Sequence, residues 1–424
     1  DGAIYIADFY NSVIGHYEVP LGHPRRDKSR GRIWRITYKG QHHARKDLSV
    51  ANADELLAAL DHDNIAIRLA ATDQLTDRIG AKAVEPVAQM LAKKETTPRE
   101  YVHGLWVLQR LQALTPDLIQ RSASHANELI RLHTLRILAE EKPDSEKLYP
   151  IVSASLKDKD PHVQRAAVES LIKYPSLNTV ESVLAVLHNT SPTDTYITYT
   201  ARLCLRNLLR NESVIRQVVA KPWSSEEIVF IEGTLVDVYS PEAGIFLAKN
   251  LKQNPLPKEK MPLAYQQIAR FVPANEVDGM IAKVKETYSG DIDLATSVLK
   301  GIRQGIAQRG GKESATLQQW GSSIAEGILR KYPSGSGSEE QIVLQQREGA
   351  DLAGDYKVKT LIPALGAFLK NESTDHVDVK TSALTALLKI LPEQGADMAG
   401  SLLLSDSTPI DFKKSSLEIS DVIT

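Results

Sequence analysis

Asp160-Pro161-His162-Val163-Gln164-Arg165-Ala166-Ala167 reads as the opening of a helix, and it sets the register for most of the chain. The aspartate is available as N-cap, and the proline fits the first helical position, where no amide hydrogen is required. An apolar residue with a polar one beside it follows, and two alanines then let a paired helix approach closely. The same signature returns at Ile67 (Ile-Arg-Leu-Ala-Ala), Val102 (Val-His-Gly-Leu-Trp), Ile130 (Ile-Arg-Leu-His-Thr) and Ile197 (Ile-Thr-Tyr-Thr-Ala), so successive anchors lie 35, 28, 33 and 34 residues apart. Each anchor is preceded by a further amphipathic stretch, at Glu55 to Leu60, Ala83 to Ala92, Leu118 to Ala123, Leu148 to Leu156 and Val180 to Leu187. A helical hairpin that cannot bury its apolar side alone is being repeated.

The tetratricopeptide Trp/Gly/Tyr pattern and the ankyrin Thr-Pro-Leu-His pattern are both missing, so the expected fold is mainly α, a HEAT-like α-solenoid. Residues 41–220 form the regular array. Over 221–333 the period blurs, with Pro222, Pro241, Pro255, Pro257, Pro262 and Pro273 marking boundaries. Ser334-Gly-Ser-Gly-Ser338 makes 334–341 a flexible linker. The signature resumes over 342–424, at Val379 and again 33 residues later at Phe412. Ile419, Val422 and Ile423 are apolar where a terminal repeat would be polar, which predicts a following unit.

Composition narrows the function classes. The 424 residues carry a formal charge of −2, with 25% charged and 42% hydrophobic residues, which describes a core-forming chain and not a basic nucleic-acid binder. Aromatic residues make up only 6%, so the core is aliphatic. The single cysteine, Cys204, excludes an intrachain disulfide, a multi-cysteine zinc or iron–sulfur site and a CxxCH haem attachment; among its leucine neighbours it reads as a buried apolar side chain. No run of about 18 apolar residues is present to span a membrane. Neither a phosphate-binding glycine loop nor a Gly-x-Ser-x-Gly elbow occurs. His42-His43 lacks any further ligand at metal spacing, so no metal site is expected.

Residues 1–40 differ in kind. Ala3 to Ala7 and Arg32 to Tyr38 are short and rich in Ile, Tyr and Trp, and in the second Ile33, Arg35 and Thr37 alternate with Trp34, Ile36 and Tyr38, so two strands are predicted. A lone strand pair is marginal in water, so it is expected to be the edge of a larger sheet. The stretches Asp1-Gly-Ala-Ile-Tyr-Ile-Ala-Asp-Phe-Tyr-Asn-Ser-Val-Ile-Gly-His16, Pro24-Arg-Arg-Asp27 and Gly31-Arg-Ile-Trp-Arg-Ile-Thr-Tyr-Lys-Gly40 resemble the end of the β-propeller in the PVC-type haem-binding proteins. That family is also described as membrane-bound dehydrogenases. Its members join a propeller similar to glucose/sorbosone dehydrogenases to HEAT-like repeats and usually a CxxCH cytochrome domain. The resemblance implies an internal fragment of an extracytoplasmic, periplasmic sugar or alcohol oxidoreductase. Its parent would pass electrons to a c-type haem and could use a quinone cofactor or calcium.

Within that resemblance, Asp8, Asn11, His16 and Arg26 are the candidate cofactor-binding residues. Asp8 and Asn11 follow the first strand, where they could meet a cofactor, a sugar hydroxyl or calcium, or simply cap a turn. His16 could be a base or haem-facing ligand, or a packed histidine. Arg26, within a basic cluster from Arg25 to Arg35, could clamp an anionic cofactor or pin its own loop. No residue is assigned as catalytic. Trp106 and Trp320 read as core anchors and Trp34 as packing between strand and solenoid. His62, His103, His133 and His162 recur near turns and helix starts, where solvated or capping roles are expected.

The expected function is a non-catalytic helical scaffold segment of such a dehydrogenase, its partners the neighbouring propeller and cytochrome domains of the parent and a protein on the concave solenoid face. The alternative is a stand-alone HEAT-repeat interaction scaffold. A HEAT-like DNA glycosylase would require a basic concave stripe, which the charge distribution does not provide.

Overall fold

The chain's helices begin where side chains can satisfy their first amide groups. In the computed structural model, which describes residues 3–8, 11–13, 19–40, 47–140, 145–251, 256–288, 290–330, 338–370, 376–406 and 408–423, Asp160 accepts from the amides of His162 and Val163, and Pro161 opens helix Pro161–Ser170. Thr97 with Glu100, Ser224 with Glu227 and Ser338 with Gln341 form reciprocal capping boxes. The last corrects the linker: 334–337 lie outside the described residues, but Glu339 to Gln341 already belong to helix Glu339–Asp355 because Ser338 caps it.

A turn module orients the second helix of several hairpins. His62 Nδ1 accepts from the Asn64 amide, Asn64 caps Ala66, and Arg68 reaches back to the carbonyls of His62 and Asp63 at 2.6 and 2.9 Å. The geometry recurs 63 residues later: His125 accepts from Asn127, Asn127 caps Leu129, and Arg131 donates to the carbonyls of His125 and Ala126 at 2.8 and 3.0 Å. Asp158, Asp160 and Gln164 reproduce it with acidic caps. The cap and the long donor four residues on close the turn, and the anchors Ile67, Ile130 and Val163 fall third in their helices.

Two units make up the chain, Asp1–Ile137 and Leu138–Thr424, with the division inside helix Glu128–Glu140. The core of the first is aliphatic: Leu56, Leu60, Leu75, Val87, Leu105 and Leu108 are fully or almost fully buried between helices Ala53–Ala59, Ile65–Asp73, Val84–Ala92 and Pro98–Arg110. Each such side chain contributes about 1.5–3 kcal/mol. This unit also holds β1 (Ile4–Asp8) and β2 (Arg32–Ile36), antiparallel with Ile6 opposite Trp34 and Asp8 opposite Arg32. The strands end earlier than Tyr38, and both faces of the pair are exposed, including Ile4, Ile6, Ile33 and Ile36. Trp34 is not a buried packing residue. It is 51% exposed, beneath the guanidinium of Arg32 two residues earlier on the same strand and bonded through Nε1 across the pair to the Asp8 carboxylate at 2.9 Å.

In the second unit, hairpin packing continues through the stretch where the sequence period blurs. Helix Met261–Phe271 lies close along Ile292–Gln308, and Glu339–Asp355 along Val377–Ile390. The first contact depends on glycine: a Cβ at Gly301 or Gly305 would stand 2.2 Å from the carbonyl oxygen of Pro262 or Gln266. Trp320 and Cys204 are core residues, as expected. No helix among the described residues is long and apolar enough to cross a membrane.

Candidate functional site

The second helices of the hairpins carry polar and aromatic groups on the faces their core residues leave free. In the first unit these form two linked histidine contacts. Arg68 Nε donates to Nε2 of His103 at 3.2 Å, so the His103 proton sits on Nδ1, 3.0 Å from Thr72 Oγ1, and the Thr72 hydroxyl donates to the Arg68 carbonyl at 2.9 Å. Trp106, which can only donate, bonds through Nε1 to His133 Nδ1 at 3.0 Å, placing the His133 proton on Nε2. Burial pushes both imidazoles toward the neutral form, His133 down to about 4, with Arg136 and His103 adding repulsion. The expectation of solvated or capping histidines is therefore corrected at positions 103 and 133, where each ring is half-buried between neighbouring helices. Trp106 is likewise half-buried and not a full core anchor. Leu69 and Leu129 stand exposed on helices of the same set.

In the second unit, Ile197, Ala201, Cys204, Leu205 and Leu208 turn inward from helix Thr195–Leu209, an i, i+4, i+7 pattern. That register sends Tyr196 and Tyr199 outward, 75% and 69% exposed, with no partner for either hydroxyl among the described residues. They border a cleft of about 560 Å³ whose other walls include Arg165, Glu169, Ile172 and Leu203. A larger cavity, about 960 Å³, lies among Leu251, Leu256, Met261, Tyr265, Met280 and Tyr288. Charged side chains, Glu276, Lys283 and Glu286 among them, share its walls, and Lys258 pairs with Asp291 there.

The residues singled out near the strands are spent on their own loop. Asp8 holds Trp34 and Arg32; Asn11 exchanges two hydrogen bonds with the Asp27 backbone, at 2.7 and 3.0 Å; Arg26 donates to the carbonyls of Val19 and Pro20. His16, His42 and His43 lie outside the described residues. Cys204 is buried, its thiol pushed up to about 12 by burial.

The HEAT repeat model matches residues 115–206. Two solved structures share the fold: Kap95p with RanGDP, 12% identical, TM-score 0.53, covering 87% of this chain and 56% of that one, and a Kap121p mutant, 14% identical, TM-score 0.56, covering 90% and 46%. The chain thus spans about half the length of the structures it matches. No curated protein matches it. The chain is a HEAT-repeat solenoid with a two-strand antiparallel sheet at its start.

The His-x-Asn-x-x-x-Arg spacing at 62–68 and 125–131 was legible but hidden by its recurrence in alternate repeats. Tyr196 and Tyr199 sit inside the anchor motif itself, and their outward direction follows once Ile197 is placed in the core.

Proposed function

We propose that the chain is a non-catalytic interaction scaffold that binds a protein partner on the exposed faces of its second helices. The observation that carries the reading is the pair Tyr196 and Tyr199: two large exposed rings with unspent hydroxyls, one helical turn apart, beside a cleft lined by Ile172 and Leu203 together with Arg165 and Glu169. Tyrosine supplies contact area at low entropic cost together with a polar handle, which makes it a frequent anchor in interfaces. Kap95p, which shares the fold, binds RanGDP, and this supports solenoid-type partner binding in kind. A photoreactive amino acid placed at position 199 should crosslink one discrete protein from its native extract, and the same group at exposed Lys94 should not. Identical patterns from the two positions would count against the reading.

A second reading has one observation in its favour, the strand pair with apolar side chains on both faces. Such a surface suits the edge of a larger sheet. On that reading the segment connects a propeller to a cytochrome domain in an extracytoplasmic sugar or alcohol dehydrogenase, the neighbouring domains supplying haem or quinone. The flanking coding sequence tests it: repeated four-strand blades upstream and CxxCH downstream are expected, and the absence of both would remove it.

A further inference from the structure

In the second unit, Leu138–Thr424, arginine side chains are committed to partners except on one surface. Arg216, Arg303, Arg330 and Arg347 pair with carboxylates, Arg309 donates to the Val272 carbonyl and Arg270 stacks on Tyr239. The remaining four, Arg165, Arg202, Arg206 and Arg210, make no side-chain hydrogen bond or ion pair among the described residues. Arg165 lies on helix Pro161–Ser170, and the others lie on helix Thr195–Leu209 or at its C-cap; the two helices pack together. Arg206 keeps even its Nε, which is shut off from solvent, without an acceptor.

The same surface carries the exposed tyrosines. Tyr196, Tyr199, Leu203, Arg206 and Arg210 follow one another at steps of three and four residues, so they share the helix face opposite the core positions Ile197, Ala201, Cys204 and Leu208. Arg165 joins them from the adjacent helix, lining the cleft of about 560 Å³ together with Tyr196, Tyr199 and Leu203. Helix Thr195–Leu209 contains no Asp or Glu, and the acids that open the two helices, Asp160 and Asp194, are spent as caps. Among the described residues that line the cleft, Glu169 is the acid; it stands exposed, one turn from Arg165, without bonding to it.

Resting on the scaffold reading, we propose that this surface receives an acidic segment of a protein partner, its carboxylates set against the four arginines and an apolar side chain entering the cleft beside Leu203. A guanidinium fork meets a carboxylate in two parallel hydrogen bonds, and the tyrosine rings add contact area with a hydroxyl at the edge. A nucleic-acid strand suits the surface less well, because Glu169 faces into the cleft that its phosphates would follow and the chain as a whole carries a charge of −2. Pairs formed at an exposed surface are screened, so binding weakens as salt is added.

Fluorescence anisotropy with the full chain tests this surface, using a labelled peptide Asp-Glu-Asp-Phe-Glu-Asp, a counterpart with lysine at every acidic position, and oligothymidine. The acidic peptide should bind with a Kd that rises with salt, and the lysine counterpart should not bind. Arg165→Gln combined with Arg206→Gln should raise the Kd about tenfold. Glu169→Gln should lower it about threefold, a gain that misfolding does not produce. The proposal is overturned if the acidic peptide binds no better than its lysine counterpart, if either set of glutamine variants binds like the parent, or if oligothymidine binds more tightly than the peptide. Crosslinking from position 199 separates this outcome from failure of the scaffold reading. A discrete partner captured equally by the parent and the Arg165→Gln, Arg206→Gln variant removes the acidic segment and leaves the scaffold, whereas identical patterns from positions 199 and 94 remove the scaffold itself.

Discussion

Arg68 donates through Nε to Nε2 of His103 at 3.2 Å while its Nη1 donates to the carbonyls of His62 and Asp63. One guanidinium thus closes the turn of its own hairpin and joins it to the second helix of the next. Arg68→Met leaves two carbonyls and an imidazole nitrogen without their donor, and the expected loss is about 2 kcal/mol. Arg99→Met, which removes exposed contacts with Asp61 and Asp63, should leave stability close to that of the parent. Urea unfolding of both variants measures the contrast, and equal losses would count against the shared role.

His133 predicts an acid-sensitive window. Its folded pKa, lowered by burial to about 4, lies below the unfolded value of about 6.5. The unfolded chain therefore takes up a proton first, so stability present above pH 6.5 is lost as pH falls toward 4, by roughly 2 kcal/mol after allowance for partial exposure. His133→Asn should flatten that part of the profile. An imidazole signal for His133 titrating near 6.5 would contradict the expectation.

Gly305 predicts a steric limit. Gly305→Ala sets a Cβ 2.2 Å from the Gln266 carbonyl oxygen and forces the two helices apart, at an expected cost of about 1–3 kcal/mol. Gly279→Ala meets nothing within 4 Å and should be neutral or stabilising by up to about 1 kcal/mol. Thermal unfolding of the pair gives the comparison, and a Gly305→Ala variant as stable as the parent would refute the close contact.

The repeat was legible because its signals are local. Asp160 and Pro161 announce a helix start, and the anchors Ile67, Ile130 and Val163 carry the apolar phase. What escaped the sequence depends on a partner helix. Gly301 and Gly305 look like breaks in a helical pattern until Pro262 and Gln266 are seen against them. Glu232 is buried by helices Leu177–Asn189, Thr195–Leu209 and Pro241–Asn250 around its own, which its local sequence does not announce. Trp34 reads in the sequence as packing between strand and solenoid, whereas Asp8 and Arg32 hold it at the surface. The tyrosines at 196 and 199 were in plain view, but single residues of their type do not announce a surface without the direction of the helix beneath.

Calorimetric titration of the crosslinked partner into the full chain and into the Tyr196→Ser, Tyr199→Ser double variant tests the scaffold reading most directly. Two anchors of this kind should cost at least about 2 kcal/mol, a rise in Kd of thirtyfold or so, while Ile33→Ser in the exposed strand pair leaves Kd unchanged. An unchanged Kd in the double variant, with loss of binding in Ile33→Ser, would contradict the assignment and place the partner on the strands.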